Sequence, residues 1–212
     1  MGWTDMFWRR TAPVLPPPTL SAPEPAAPIP HPGPYTERHL SAAGASPELI
    51  ARFLAPLNAA ALEFEIVYRR RPWMFLAQVA HESGRFRYTS ELWGPTPAQL
   101  KYEGRPDLGN SAIGDGPLFR GHGLIQITGR ANHQAVAQHF RLSFPRGVIE
   151  WLQSPDGACR SAAWFWSTHG CNELADAGDF VAVTRRINGG LNGLEDRQSL
   201  YGAICEAAGV AP

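Results

Sequence analysis

Two glutamates in the middle of the sequence have the residue type and the spacing for acid–base chemistry. Glu82 follows Phe75 and Val79 at the i, i+4, i+7 spacing of one helix face, so we expect its carboxyl group to be buried beside core residues. Burial raises the pKa of a carboxyl group and keeps it protonated, as a general acid near neutral pH requires. Glu91 opens a polar loop nine residues later, where a more solvated carboxylate suits the role of base.

Such a division of labour between two carboxyl groups is the arrangement that glycoside hydrolysis uses. Glu82 also has a plainer interpretation, because Ser83 and Gly84 follow it. It would then lie at a frayed helix end and form a solvated ion pair with Arg85 or Arg87. The spacing of the two glutamates alone leaves both interpretations open.

Composition argues against several classes of partner and cofactor. The chain has 212 residues, and 19 Lys and Arg balance 19 Asp and Glu, so no net charge draws it to nucleic acid. Three cysteines without a C-x-x-C pair argue against a disulfide scaffold and a structural zinc site, and predict buried or free thiols. The segment from His81 to Arg85 begins like the zinc motif H-E-x-x-H, but arginine replaces its second histidine. We therefore expect no metal and no nucleic-acid partner.

The elements that must position the two glutamates are mainly helical. Apolar residues at helical spacing predict helices over SPELIARFLAPLNAAALEFEIV, RPWMFLAQVAHES, CRSAAWFWSTHG, DFVAVTRRI and EDRQSLYGAICEAAG, and a short segment running into a helix over GLIQITGRANHQAVAQHF. The first has Ser46 as its N-cap and is either one helix or two that break near Pro56. A loop of about forty residues, rich in Gly, Pro, Asp and Asn, follows the second and is typical of a functional loop.

The N-terminal part of the chain differs in composition from the rest. Half of the 20 prolines fall within residues 1–34, which we predict to be a flexible proline-rich extension ahead of a catalytic domain over residues 35–212. The extension begins MGWTDMFWRR, with its apolar residues ahead of the arginines, the reverse of the order in a secretory signal. We therefore expect no cleavable signal, and a docking or membrane-surface peptide on a tether and a disordered terminus both fit this segment.

Four blocks of sequence resemble, in order, the catalytic core of the family 19 glycoside hydrolases. They are HESGRFRYTSE, GDGPLFRGHGLIQITGRANH, SAAWFW and RRINGGLNGLEDR, and the resemblance covers roughly residues 47–208. The particular likeness is to short phage-type members that act as endolysins, and it extends to the loop ELWGPTPAQLKYEGRPDLGN. The resemblance implies a mainly α, lysozyme-like α+β fold with a substrate cleft and at most a small hairpin. It also implies inverting cleavage of β-1,4-linked polymers of N-acetylated sugars, without a metal or organic cofactor.

The resemblance assigns roles to individual residues. Glu82 matches the general acid of the family, Glu91 its general base, and Thr128 a hydroxyl group that helps to hold the attacking water. Residues that match sugar-binding positions or positions near the acid are His81, Gln126, Asn132, Asn188 and Arg197.

Three of these matches also have plainer interpretations. Thr128 would be a packing residue, Asn188 a helix C-cap, and Arg197 one partner of a surface pair with Asp196. In addition, the family usually has Arg-Gly-Arg-Gly where this chain has arginine, glycine, His122 and glycine, so a titratable group replaces a fixed charge.

Three tryptophans are candidates for stacking on sugar rings. Trp93 lies beside Glu91 in the long loop and is the residue that we expect to bind a sugar. Trp164 and Trp166 point about 200° apart on a helix, and we favour a core position for both.

These observations predict a peptidoglycan-cleaving glycosidase, a muramidase or endolysin that is made in the cytoplasm and acts at the bacterial cell wall, in the periplasm, after release or export. The alternatives are a chitinase, a secreted antibacterial effector with the same chemistry, and a sugar-binding module that has lost catalysis. The expected partner is peptidoglycan or a chitin-like polysaccharide, and an effector would also have an inhibitor or immunity protein. We expect a monomer.

Overall fold

The computed structural model describes residues 33–212, and regular structure in this range is helical. Eleven α-helices follow one another: α1 (Glu37–Ala42), α2 (Pro47–Glu63), α3 (Arg71–Glu82), α4 (Pro97–Leu100), α5 (Asp115–Leu118), α6 (Arg130–Phe140), α7 (Arg146–Gln153), α8 (Pro155–Thr168), α9 (Cys171–Asp176), α10 (Phe180–Asn188) and α11 (Leu194–Ala208). The predicted extension lies outside the described residues apart from its last two, so the domain boundary at residue 35 stays a prediction.

The prediction of a mainly α fold is confirmed. Helix α2 runs without interruption through Pro56, so the alternative of two helices is wrong. A proline inside a helix removes one backbone hydrogen bond and costs about 3 kcal/mol. The packing of α2 along α8 offsets this cost, because most helix stability in proteins comes from tertiary contacts.

Helix α3 is the central element of the domain. It packs against α11 and also contacts α9 and α10. Nine of its residues are buried: Pro72, Met74, Phe75, Leu76, Ala77, Gln78, Val79, Ala80 and Glu82. The Phe75 ring meets the edge of the fully buried Trp166 ring at a centroid distance of 5.4 Å, which places Trp166 in the core. Trp164 packs against the core from a half-buried position.

Extended structure within residues 33–212 is limited to two isolated antiparallel bridges. One pairs Ser90 with His122, and the other pairs His122 with Ile127. This agrees with the expectation of at most a small hairpin in the long loop. The bridges join the segment that carries Glu91 to the segment that leads into Thr128, so this small unit supports the predicted base.

A buried carboxylate fastens the far end of the long loop. Asp115 Oδ2 accepts hydrogen bonds from the backbone N–H groups of Ser111 and Ala112, both at 2.9 Å. Arg130, the first residue of α6, donates from Nε to Oδ2 at 2.8 Å and from Nη2 to Oδ1 at 2.5 Å. These four donors lower the pKa of Asp115 to about 2, chiefly through Arg130. The loop is thus bonded to the helix that follows Thr128.

We predict that Asp115→Asn lowers the free energy of unfolding by about 2 kcal/mol at neutral pH, the size of a hydrogen bond to a charged group. Because folding lowers the pKa of this carboxyl group from 3.8 to about 2, its contribution is complete above about pH 4 and is lost as the pH falls toward 2. Urea unfolding of both proteins should therefore show a difference that shrinks over that interval.

The matched control is Asp107→Asn, which alters a more exposed pair with Arg105 and should change the free energy of unfolding by less than about 1 kcal/mol. A difference for Asp115→Asn that stayed constant from neutral pH to about pH 2.5 would contradict this assignment.

Candidate active site

Glu82 ends the central helix, and its carboxyl group forms a buried ion pair. The Arg197 guanidinium, from α11, donates from Nη2 to Glu82 Oε1 and from Nη1 to Gln78 Oε1, the latter at 2.5 Å. Only 2% of the Glu82 side chain and 1% of the Arg197 side chain are exposed. The predicted burial of Glu82 is therefore confirmed, and the interpretation of a frayed, solvated glutamate is wrong.

A second charged cluster lies beside this pair. Asp196 accepts a hydrogen bond from His81 Nδ1 at 2.6 Å and another from Arg85 Nη2 at 2.6 Å. Arg85 thus pairs with Asp196 rather than with Glu82. The prediction of a surface pair between Arg197 and Asp196 is also wrong. Arg197 pairs with Glu82, whereas Asp196 binds His81 and Arg85. Burial, followed by the charge of Arg197, lowers the pKa of His81 and favours its neutral form.

The turn before α11 is pressed against His81. A Cβ atom at Gly193 would lie 2.3 Å from His81 Cε1, and the φ angle of Gly193 is +71°, so glycine alone suits this position. The Asn192 carbonyl accepts hydrogen bonds from Asn188 Nδ2 at 3.3 Å and from Arg197 Nε at 3.4 Å. His81, Asn188 and Arg197 are therefore brought together around one turn next to Glu82.

Hydrogen-bond donors hold both oxygens of the half-buried Glu91 side chain. Gln99 Nε2 donates to Oε1 at 2.9 Å, the Tyr102 hydroxyl lies 3.5 Å from the same oxygen, and the Gly121 backbone N–H donates to Oε2 at 3.1 Å. Burial, together with the nearby Glu91 charge, raises the pKa of Tyr102 to about 12. Its phenol group is therefore protonated at neutral pH and available as a donor.

Gln99 organises the loop around Glu91. Its side-chain oxygen accepts hydrogen bonds from the backbone N–H groups of Gly94 at 3.2 Å and Thr96 at 2.8 Å, and its amide also donates to the Leu92 carbonyl at 2.8 Å. Neither Gln99 nor Tyr102 is among the residues that the sequence predicts for the site. The capping-box pattern of Thr96 and Gln99 around α4 was the available signal for Gln99.

A chain of contacts connects Glu91 with Gln126, Thr128 and Asn132. Gly121 packs so closely on Gln126 that a Cβ atom would lie 2.6 Å from Gln126 Oε1. The Thr128 hydroxyl donates to the Gln126 carbonyl at 3.0 Å, and Asn132 Nδ2 donates to the Thr128 carbonyl at 2.7 Å. The Thr128 oxygen keeps its capacity to accept a hydrogen bond.

Two further residues from the sequence analysis, Trp93 and His122, lie in the segments around Glu91. Trp93 is half-buried, with its ring centroid 6.2 Å from that of Tyr102. His122 is fully buried, and burial, followed by the influence of His133, lowers its pKa to about 3. The histidine at the usual arginine position is thus uncharged at neutral pH, contrary to the expectation of a titratable charge there.

The structure groups the predicted residues into two clusters. The acid cluster contains His81, Glu82, Asn188 and Arg197, and the base cluster contains Glu91, Trp93, Gln126, Thr128 and Asn132. Their roles stay predictions, as does the distance between the carboxyl groups of the two clusters.

Three further features concern residues 33–212: possible metal ligands, helix length and cysteines. No set of three His, Cys, Asp or Glu side chains in this part of the chain is grouped as a metal site. None of its helices has both the length and the apolar character needed to cross a membrane. Its three cysteines are free thiols in buried positions, as predicted.

Comparison with known sequences finds relatives in bacteria and plants, although no family model matches the chain. A glycosyl hydrolase family 19 domain-containing protein of Haemophilus influenzae is 38% identical over 159 residues, which are 62% of this chain and 76% of that protein. An endochitinase of Arabidopsis thaliana is 33% identical over 152 residues, which are 69% of this chain and 50% of that protein. The chain thus spans about half the length of this plant relative.

Solved structures share the fold at lower sequence identity. Chitinase C from Streptomyces griseus has a TM-score of 0.63 at 18% identity, over 83% of this chain and 77% of that one. A family GH19, class IV chitinase from Zea mays has a TM-score of 0.52 at 22% identity, over 84% of this chain and 83% of that one. These likenesses confirm the predicted fold class.

We predict that Arg197→Met lowers the free energy of unfolding by about 3–5 kcal/mol, because it leaves the buried Glu82 carboxylate without its partner. Adding Glu82→Gln should recover part of this loss, since no unpaired charge then remains in the core. Urea unfolding of the two single variants and the double variant measures the coupling between the residues.

The matched control is the same cycle on the Arg160–Glu63 pair, whose side chains are 33% and 39% exposed and should couple by less than about 1 kcal/mol. Simple additivity of Arg197→Met and Glu82→Gln would mean that the ion pair does not contribute as described.

Proposed function

Because this chain belongs to the family 19 glycoside hydrolases, we propose that it is a muramidase that cleaves the β-1,4 bonds of peptidoglycan by an inverting mechanism. Hydrolysis of a glycosidic bond is the activity of the family as a whole. The observation that carries the mechanism is the contrast between two carboxyl groups: Glu82 is buried against one cation, and Glu91 is half-buried among uncharged donors.

Glu82 is the general acid. In the reacting form Glu82 has taken up a proton, and because Arg197 occupies Oε1, this proton is carried on Oε2. This proton passes to the oxygen of the leaving sugar as its bond to the anomeric carbon breaks. Arg197 and Gln78 fix the carboxyl group at the end of a buried helix, which limits the positions from which it can donate.

Glu91 is the general base, and Thr128 is the second anchor of the attacking water. The water donates one hydrogen to Glu91 and the other to the Thr128 hydroxyl oxygen, whose own hydrogen is directed to the Gln126 carbonyl. As the water oxygen bonds to the anomeric carbon, its proton moves to Glu91. The acid and the base thus exchange protonation states, and bulk water restores them after the product leaves.

Peptidoglycan is the substrate that the long loop favours. The loop over residues 91–110 is similar to that of phage-type members, and its Trp93 and Gln99 border Glu91. The names of the plant and Streptomyces relatives favour chitin as the second candidate, which lacks the lactyl-peptide groups of peptidoglycan. We further propose that the enzyme acts at the bacterial cell wall, and that an inhibitor protein accompanies it if it is delivered into competing cells.

Mass spectrometry of the products released from purified peptidoglycan and from chitin by the full chain tests the substrate. A muramidase releases muropeptides with N-acetylmuramic acid at the reducing end. Soluble oligomers from chitin alone would overturn the peptidoglycan assignment and support the chitinase. No product from either polymer would support a sugar-binding module instead.

We predict that Glu82→Gln lowers kcat on the cleaved polymer by at least about 10²-fold, since glutamine keeps the shape but has no proton to donate. Binding to the insoluble polymer, measured by co-sedimentation, should be retained. Glu150→Gln, an exposed position on α7, is the control and should keep the wild-type rate. Activity of Glu82→Gln close to that of the control would show that the acid is misassigned.

The stereochemistry provides a separate prediction. A water molecule fits between base and sugar when the carboxyl groups are about 6.5–9.5 Å apart, whereas a retaining nucleophile requires about 5–5.5 Å. We expect the wider separation, and proton NMR of early products should show the α-anomer from a β-linked substrate. Azide should not restore activity to Glu91→Gln by forming a glycosyl azide of retained configuration. The β-anomer as the first product would rule out inversion.

A further inference from the structure

His122 lies between the segment of Glu91 and the segment that leads into Thr128, but it has no part in the chemistry proposed above. Its backbone pairs with Ile127 on one side through N–H···O bonds of 3.0 and 2.8 Å. On the other side it forms a bridge with Ser90, next to which Gly123 N–H donates to the Thr89 carbonyl at 2.9 Å and Glu91 N–H donates to the Gly121 carbonyl at 2.8 Å. One residue therefore connects the segment of the base to the segment that ends at Thr128.

The His122 side chain forms a buried pair with His133 on α6. Its Nδ1 atom lies 2.9 Å from His133 Nε2, and His133 Nδ1 lies 2.8 Å from the Gly129 carbonyl oxygen. Both side chains are fully buried. Burial lowers the pKa of His133 to about 4, against an opposing contribution from the Gly129 carbonyl. Burial, His133 and then the charge of Arg120 lower the pKa of His122 to about 3, against an opposing contribution from the Arg120 backbone. Both rings are therefore neutral at neutral pH, and each carries one N–H.

The hydrogen bonds determine which nitrogen of each imidazole carries the hydrogen. The Gly129 carbonyl only accepts, so the hydrogen of His133 lies on Nδ1 and its Nε2 is an acceptor. His122 must then donate from Nδ1 to His133, which leaves His122 Nε2 without a hydrogen and able only to accept. Within residues 33–212, this buried Nε2 atom has no hydrogen-bond partner.

A matching donor lies across the bridge. The Ser90 hydroxyl is also buried without a partner among the described residues. Directly opposite residues of an antiparallel pair point to the same face, with Cβ atoms about 4.5–5.5 Å apart. An unpaired acceptor and an unpaired hydroxyl on the same face of a bridge are the kinds of polar group that hold a buried water molecule.

We propose that His122 is a positioning residue for Glu91, and that one enclosed water molecule joins its Nε2 atom to the Ser90 hydroxyl group. The hydrogen bonds then run without interruption from Ser90 through the water, His122 and His133 to the start of α6. Because Glu91 directly follows Ser90, this series of hydrogen bonds sets the position of the base relative to Thr128. The role rests on the proposed function, in which Glu91 activates water.

Two substitutions remove, one at a time, the two groups that hold the proposed water molecule. His122→Asn places an amide near the Nδ1 position, so it keeps a donor to His133 and loses the outer acceptor. Ser90→Ala removes the opposite hydroxyl and leaves the imidazole intact. Each should lower kcat by about tenfold, the effect of one hydrogen bond, and leave KM within about twofold, because the base is displaced while the sugar contacts remain. His139→Asn, at the exposed far end of α6, is the control and should match the wild type.

A spectroscopic measurement on the unmodified protein does not depend on whether variants fold. ¹⁵N NMR of the histidine rings should show both His122 and His133 as neutral tautomers with hydrogen on Nδ1, from neutral pH down to about pH 5. Hydrogen on His122 Nε2, or a charged His122 ring in this range, would overturn the inference.

The same set of proteins distinguishes this inference from the proposed function. If Glu91→Gln retains full activity, Glu91 is not the base and the proposed mechanism fails. If Glu91→Gln is inactive while His122→Asn and Ser90→Ala keep the wild-type kcat, the mechanism stands and the positioning role of His122 is wrong. Equal losses in kcat and 1/KM, or a drop in folded fraction that accounts for the whole loss, would likewise contradict positioning.

Discussion

A charge placed in the interior of a protein requires a partner, and the ion pair between Glu82 and Arg197 meets this requirement at the junction of two helices. Removing one member leaves the other buried and unpaired, which costs more than the pair contributes. Helices α3 and α11 are therefore fixed relative to each other at the Glu82 carboxyl group. The turn over His81 and the position of Asn188 follow from this constraint, because both depend on where α11 begins.

The two carboxyl groups are held by different physical means. Glu82 is held by burial and by one cation. Glu91 is held by an amide, a phenol and a backbone N–H, which orient it without supplying a charge.

Much of this arrangement could be predicted from sequence where it depends on local patterns. The burial of Glu82 followed from its helical spacing relative to Phe75 and Val79. The partner of Arg197 could not be predicted, because Asp196 and Arg197 are adjacent and only the direction of α11 decides which of them faces Glu82. Likewise, the contacts of Gln99 and Tyr102 with Glu91 depend on how a loop without periodicity folds back on itself.

The fastening of that loop by Asp115 has a consequence for the thermodynamics of binding. A loop that must be ordered by its ligand uses part of the interaction energy for lost conformational entropy and shows a large negative heat-capacity change. Here four hydrogen bonds to one carboxylate fix the far end of the loop against α6 in the free protein. Calorimetry of a bound oligosaccharide would accordingly show no contribution from ordering of this end of the loop.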